Sequence, residues 1–220
     1  MTTPILYVGN RNYSSWSLRP WLALRWGDIE FETRVLPLGG PGYGTRESPA
    51  VLAVSETGTV PALHFGADSI SDSLAISEWA AEQAPSLWPS DPVARTYARS
   101  AVCEMHAGFA ALRSALPCNI RRRAGARPQS AEVKRDVARL EALWSQLRDR
   151  FGANGPYLFG QKTIADAFFM PVATRFRTYG VDVQGHAKGY VQTLLSDPEF
   201  REWESLAEQE PWTIPQWDAY

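Results

Sequence analysis

Along the first 83 residues the hydrophobic pattern changes period repeatedly, whereas after residue 92 it keeps a single period. Ile5-Leu6-Tyr7-Val8 is a short apolar run closed by Gly9-Asn10, the pattern of a buried parallel strand. Ser14-Ser15-Trp16-Ser17 follows, then Leu18, Trp21, Leu22 and Trp26 at helical spacing, stopped by Gly27. Serines at the start and glycine at the end are the expected caps, and Pro20 is expected in the first turn, where proline is tolerated. Residues 30–36 alternate polar and less polar positions, a strand with one wet face, so the three elements make a βαβ unit. The Gly- and Pro-rich stretch 37–50 is expected as loop. Ala62–Phe65 and Ser69–Ser71 form two short strands around a Gly66-Ala67-Asp68 turn, and a helix runs from Ser73 to about Gln83.

Pro85, Pro89 and Pro92 interrupt the pattern, which puts a linker at 84–92 between a domain at 1–83 and one at 93–220. Beyond it, Val102, Met105, Phe109, Leu112 and Leu116 step by 3, 4, 3 and 4, and Val133, Val137, Leu140, Trp144, Leu147 and Phe151 step in the same way. Each is one apolar stripe on an amphipathic helix. Ile164 to Phe176 is apolar nearly all round, which predicts a central buried helix. Shorter helices are expected near 187–195 and 197–209. At the start of the central helix, Thr163 and Asp166 have the spacing of a capping-box variant, a folding device.

Composition narrows the function classes. In 220 residues, 45% are hydrophobic and 21% charged, the balance of a globular protein with room for a sizeable core. Lys plus Arg number 22 against 24 Asp plus Glu, a net charge of −2, which argues against nucleic acid as a partner. No apolar run approaches the roughly 18 residues of a membrane span. The opening MTTPILYVGN lacks the marks of a signal peptide, so the expected location is cytoplasmic. Cys103 and Cys118 have no zinc-type spacing, and His64, His106 and His186 match no metal motif, so no metal is expected. Nine tryptophans are mostly explained as large core side chains. Residues 121–150 hold nine basic and four acidic side chains, read first as a solvated helix end and second as an anion funnel or dimer contact.

The residues then make a resemblance specific. PILYVGN…SSWSLR…LALRWG resembles the start of cytosolic glutathione transferases, above all the serine-type, zeta-like class of bacteria with its S-S-C-S-W-R stretch. Thr59-Val60-Pro61 stands where that family has a V-P before its third strand. Asp72-Ser73-Leu74-Ala75-Ile76 resembles its [EQD]-S-x-A-I motif, and Thr163-Ile164-Ala165-Asp166 its S/T-x-x-D. The four matches fall in order over nearly the whole chain. The resemblance implies an α/β thioredoxin-like N-terminal domain followed by an all-α helical domain. It further implies a homodimer active in detoxification, with glutathione as co-substrate and a small electrophile as acceptor.

Each matched residue has a physical task. A free thiol has a pKa of about 8.5, and lowering it by about 2 units requires about 2.7 kcal/mol of preferential thiolate stabilisation. A serine hydroxyl at the positive end of a helix can supply a large part. The resemblance favours Ser14 as that catalytic group; because the loop before it is longer than in zeta enzymes, Ser15 and Ser17 remain alternates, with Tyr13 a further candidate. No cysteine stands at this helix start, which disfavours dithiol exchange. Ser15, Thr59, Val60 and Pro61 are implied glutathione contacts, Val60 offering its backbone to the cysteinyl unit across a cis-proline turn. Asp72 and Ser73 suit the γ-glutamyl amine and carboxylate. The glycyl carboxylate lacks the Lys or Gln that many family members place near V-P, and His64, Arg46 or an arginine from a partner chain are substitutes. Trp16, Met105 and Phe109 are expected to line the electrophile site, although ordinary core is the competing reading for the last two.

The reaction expected is attack of the glutathione thiolate on an electrophile, or glutathione-assisted isomerisation. The alternative is a non-catalytic module of the same fold, for ligand binding or protein interaction. Gly39-Gly40-Pro41-Gly42-Tyr43-Gly44, an aromatic among glycines, is a candidate anchor between subunits. The acidic, Trp-rich segment 197–220 has no functional reading from sequence.

Overall fold

The computed structural model describes all residues except Met1, Pro41, Tyr43, Gly44 and Tyr220, so the expected anchor at Tyr43 lies outside the described residues. Strand β1 (Ile5–Gly9) leads into helix α1 (Ser15–Trp26) and strand β2 (Glu32–Leu36). A one-turn helix α2 (Pro49–Leu52), strands β3 (Ala62–Phe65) and β4 (Asp68–Ser71), and helix α3 (Ser73–Gln83) complete this half. The sheet order is β2-β1-β3-β4. β1 pairs parallel with β2, Tyr7 opposite Arg34, and antiparallel with β3, Leu6 opposite Leu63. The parallel pair requires the α1 crossover that the sequence predicts. Leu6, Val8, Leu18, Leu22, Leu63 and Ile76 are fully buried between the sheet and the α1–α3 layer.

The second half is helical: α4 (Pro92–Ala107), α5 (Ala110–Ala115), α6 (Ala131–Phe151), α7 (Ile164–Tyr179), α8 (Gly185–Leu195), α9 (Pro198–Gln209) and a short α10 (Pro215–Asp218). A 3₁₀ turn, Pro85–Leu87, stands between the halves. The expected fold class holds: a thioredoxin-like half followed by an all-helical one. Every residue of α7 except Arg177 is buried. Its Phe168, Phe169 and Phe176 contribute about 1.5–3 kcal/mol each through burial, and Phe169 meets Trp144 of α6 edge-on at 5.5 Å. α7 packs on α4 and α8 within its half, and α7 and α9 both pack on α1 across the boundary.

Three expectations require correction. Pro20 lies in the interior of α1, past the first turn, where its missing N–H leaves the Trp16 carbonyl without the usual helical donor. The stripe from Val102 to Leu116 does not ride on one helix: Gly108 closes α4 and Phe109 adopts φ 56°, a left-handed turn from which α5 starts in a new direction. The stripe stays buried because both pieces press on the same core. The loop after β2 contains α2, which the Gly/Pro content had hidden and which Pro49 opens.

Candidate active site

The segment between β1 and α1 is held from both halves. Asn10 accepts the Tyr13 and Ser14 N–H groups on its carbonyl and the Leu38 N–H on its side chain. Asn12 accepts the Ile120 N–H on its carbonyl and the Arg121 N–H on Oδ1, and its amide donates to Asn119. This clamping fixes Ser14 as the N-cap of α1, its Oγ accepting the Ser17 N–H at 3.3 Å.

The hydroxyls separate by environment. Ser14 Oγ donates to Ser17 Oγ at 2.7 Å and lines a cavity of about 580 Å³. Ser17 is fully buried and accepts the Gly9 N–H at 3.1 Å, away from the cavity wall. Ser15 lines the cavity and accepts from Arg175 Nη2 at 3.3 Å. Tyr13 also lines it, but its hydroxyl is occupied: it donates to the Asp218 carboxylate at 2.8 Å and accepts from the Ile214 N–H at 3.1 Å.

Opposite the serines stand Gly58, Thr59 and Val60, and the Val60–Pro61 bond is cis. Thr59 Oγ1 pairs with Thr57 Oγ1 at 2.7 Å. Arg46 lines the same wall, held there because Gly58, at φ 65°, lets the chain pass where a Cβ would overlap the Arg46 carbonyl. His64 is not in the wall; its Nε2 contacts the Val54 carbonyl at 2.7 Å. Of the cations considered from sequence for the glycyl carboxylate, Arg46 is the one that borders the cavity.

Asp72 caps α3, its Oδ1 accepting from the Leu74 and Ala75 N–H groups at 2.7 and 3.3 Å. It does so at φ 82°, a conformation costing a non-glycine residue on the order of 1–3 kcal/mol and concentrated at functional sites. Its Oδ2 lies 3.3 Å from His106 Nε2 on α4. Ser73 is buried and its Oγ has no partner, an unspent donor and acceptor at a helix start. Neither residue belongs to the wall of the serine cavity.

The helical half supplies Arg113, Ser114, Pro117, Cys118 and Arg175 to the wall, and Trp217 comes from α10. Arg175 is buried and donates to the Leu116 and Pro171 carbonyls. Burial holds its guanidinium below the usual arginine range. Arg19 of α1, fully buried behind Trp16, is lowered to about 9, first by desolvation and then by Arg175 and Arg113. Burial raises the Cys118 thiol, so Cys118 is held as the neutral thiol. Of the three expected electrophile-site residues, Trp16 lines the cavity, whereas Met105 and Phe109 sit in the core. Among the described residues no group of three His, Cys, Asp or Glu side chains is arranged to hold a metal ion.

Sequence reasoning missed Arg113, Arg175 and Trp217. Arg175 left a signal: a cation inside a helix that is otherwise apolar all round. Arg113 and Trp217 belong to no local motif.

Residues 13–83 match the model of the glutathione S-transferase N-terminal domain, and residues 130–205 that of its C-terminal domain. No curated protein matches the chain. Among solved structures, a glutathione transferase homolog from Burkholderia gl BGR1 with bound glutathione superposes with a TM-score of 0.72 at 21% identity, covering 95% of this chain and 100% of that one. A glutathione S-transferase from the Antarctic clam Laternula elliptica gives 0.67 at 16%, with 100% of both chains covered. The theta-class enzyme of Xanthomonas axonopodis pv. citri, also with glutathione bound, gives 0.64 at 20%, covering 97% and 100%. With both family domains matched in order around a cavity walled by a serine N-cap and a cis Val-Pro edge, the chain belongs to the glutathione S-transferase family.

Proposed function

We propose that the protein binds glutathione in the serine-lined cavity and directs its thiolate at a small electrophile. The observation that carries this reading is Ser14: a helix N-cap hydroxyl on a cavity wall, facing the exposed turn before a cis-proline strand. Ser17 already accepts the Gly9 N–H, so its own proton can turn toward Ser14 Oγ. That reversal frees the Ser14 proton for the sulfur, and the N-terminal end of α1 adds its positive potential. Ser15 is the weaker choice because Arg175 already engages its oxygen; Ser17 is the weakest because it lies beneath Ser14. No backbone hydrogen bond engages the Val60 N–H or C=O among the described residues, and both are free to pair with a cysteinyl backbone. Asp72 and Ser73 would hold the γ-glutamyl end, and Arg46 the glycyl carboxylate.

The acceptor would lie between Trp16, Arg113 and Trp217, and its reaction is conjugation or zeta-like isomerisation. We place the glutathione-binding domain at 1–83 and the acceptor domain at 93–220, in a cytoplasmic homodimer; a solution mass near 24.5 kDa by light scattering rejects the dimer. The experiment for the main reading is retention on immobilised glutathione, followed by titration of bound glutathione in the ultraviolet. A bound-thiol pKa about 2 units below the free value is expected, rising in Ser14→Ala. Retention with an unshifted thiol would mark a binding module without catalysis.

A further inference from the structure

A second cavity, of about 640 Å³, opens beside the C-terminal end of α1 and shares no wall residue with the serine cavity. Its volume falls in the range of roughly 300–1,000 Å³ typical of small-molecule sites. α1 borders both cavities, with Trp16 on the first and Trp21 and Arg25 on the second. The apolar part of the second wall is Trp21, Ile29, Phe31 and Leu206. Phe31 meets Trp21 edge-on at 6.5 Å, and the Trp21 indole N–H donates to Thr33 Oγ1 at 3.2 Å. The hydrogen bond and the ring contact together hold the aromatic pair in place.

The charges on the two walls are opposite. The serine cavity has three arginines and no Asp or Glu. The second cavity has four carboxylates, Asp28, Glu30, Glu199 and Glu202, against two arginines. Both arginines are spent, Arg11 on Glu210 at 3.1 Å and Arg25 on Glu202 at 2.6 Å. Glu199 is spent on Lys162 at 2.7 Å. Asp28 and Glu30 are exposed, and among the described residues their side chains have no hydrogen bond or ion pair. The unspent charge of this wall is therefore negative. The last turn of α1, which ends at Trp26, adds the negative end of the helix dipole on the same side. The aromatic faces here already attract cations: the Arg25 guanidinium carbon lies 5.4 Å from the centre of the Trp21 ring. That of Arg11 lies 5.6 Å from the Trp203 ring, which stands 5.2 Å from Trp21.

We propose that this second cavity binds an organic cation, an ammonium group carried on an apolar or aromatic body. The body lies against Ile29, Phe31 and Leu206. The ammonium sits by the Asp28 and Glu30 carboxylates, where ion pairing and attraction to the aromatic faces act together. The same carboxylates disfavour an anion of equal shape. The arginines of the serine cavity repel the cation, so the field of the molecule directs it to the second cavity. Because the two walls share no residue, this site does not depend on whether the serine cavity takes glutathione.

The test titrates the full chain by calorimetry with two probes of one shape, phenethylammonium and neutral phenethyl alcohol. The native protein should bind the ammonium roughly five-fold or more tighter than the alcohol, the size of two exposed ion pairs. In the double variant Asp28→Asn/Glu30→Gln, affinity for the ammonium should fall to that for the alcohol, with the alcohol unchanged. No binding of phenethylammonium to the native protein, equal affinity for both probes, or a preference that survives in the double variant overturns the proposal. The tryptophan indole N–H signals in nuclear magnetic resonance, assigned with Trp21→Phe and Trp16→Phe, locate the ligand. Phenethylammonium should move the Trp21 signal and leave that of Trp16 in place; a shift of Trp16 alone puts the cation in the serine cavity and overturns the proposal. Should the double variant not fold, salt decides the matter on the native protein. Raising it from about 0.05 M to about 0.5 M should bring the preference toward one, and a preference indifferent to salt overturns the site.

Discussion

Two helix starts in this molecule use the same chemistry to opposite ends. At α7, Asp166 is fully buried and accepts four hydrogen bonds: from the Thr163 N–H and hydroxyl at 2.9 Å, the Leu158 N–H at 3.1 Å and the Tyr190 hydroxyl at 2.9 Å. Every lone-pair direction is spent, and Asp166 stands outside the wall of the serine cavity. At α1, Ser14 has one donor and one acceptor partner, both within Ser17, and a cavity on its open side. Capping polarity fully consumed inside the core locks a fold; capping polarity left partly unspent at a cavity is available to a ligand. Ser73, at the start of α3, is likewise unspent, buried with an unpartnered hydroxyl, but it stands outside the wall of that cavity.

The difference can be broken at either end. Asp166→Ala strands two backbone N–H groups and two hydroxyls in the core, and should destabilise the protein by about 3–5 kcal/mol in chemical denaturation. Ser14→Ala removes only a cap, about 1 kcal/mol of stability, yet should lower kcat by roughly 10²-fold with little change in glutathione affinity. Retention of full activity in Ser14→Ala, with loss in Ser15→Ala or Ser17→Ala, moves the role to that serine; activity in all three abolishes the serine mechanism.

Asp72→Ala should weaken glutathione binding by roughly 10- to 150-fold, the range for one charge-assisted hydrogen bond, and leave a ligand lacking the γ-glutamyl amine nearly unaffected in calorimetry. An equal loss for both ligands would mean that Asp72 only caps α3 and meets His106.

The smallest effect concerns acidity. Burial pushes the Asp166 carboxyl up from 3.8 to about 6 despite its four donors. The folded state therefore binds a proton more tightly than the unfolded chain, so the ionised carboxylate costs stability above about pH 6, and that cost shrinks as pH falls toward the unfolded value. Asp166→Asn cannot titrate, so its deficit relative to the native protein should grow by about 1 kcal/mol between pH 7 and pH 5. A deficit constant over that range would mean that the four donors outweigh burial.

Much of this arrangement was readable along the chain because it is local. Ser14 shows as an N-cap from the serine run before Leu18, Thr163 and Asp166 from their spacing of three, and the buried α7 from its lack of a polar face. The break at Gly108–Phe109 was not readable, since both fragments continue one apolar stripe and only the left-handed Phe109 reveals the turn. The arginines were legible as charges but not as neighbours. Arg19, Arg113 and Arg175 are far apart in sequence, and tertiary packing of α1, α5 and α7 brings Arg19 and Arg113 onto Trp16 and Arg175 onto Ser15. The acidic segment after residue 197 made no sense as a local pattern because most of its partners are distant in sequence, Lys162 and Arg177 in the helical half and Arg11, Tyr13 and Arg25 at the other end of the chain.

Those partners give the cavity a history. The Tyr13 hydroxyl bonds to Asp218, 205 residues later, and Glu210 grips the Arg11 N–H and guanidinium while Trp217 packs on the Tyr13 ring at 5.6 Å. Contacts of such sequence separation close late, after the local units that flank them have formed. The Trp217 side of the cavity is thus held by long-range contacts, and its formation depends on the docking of the segment from Glu210 to Asp218.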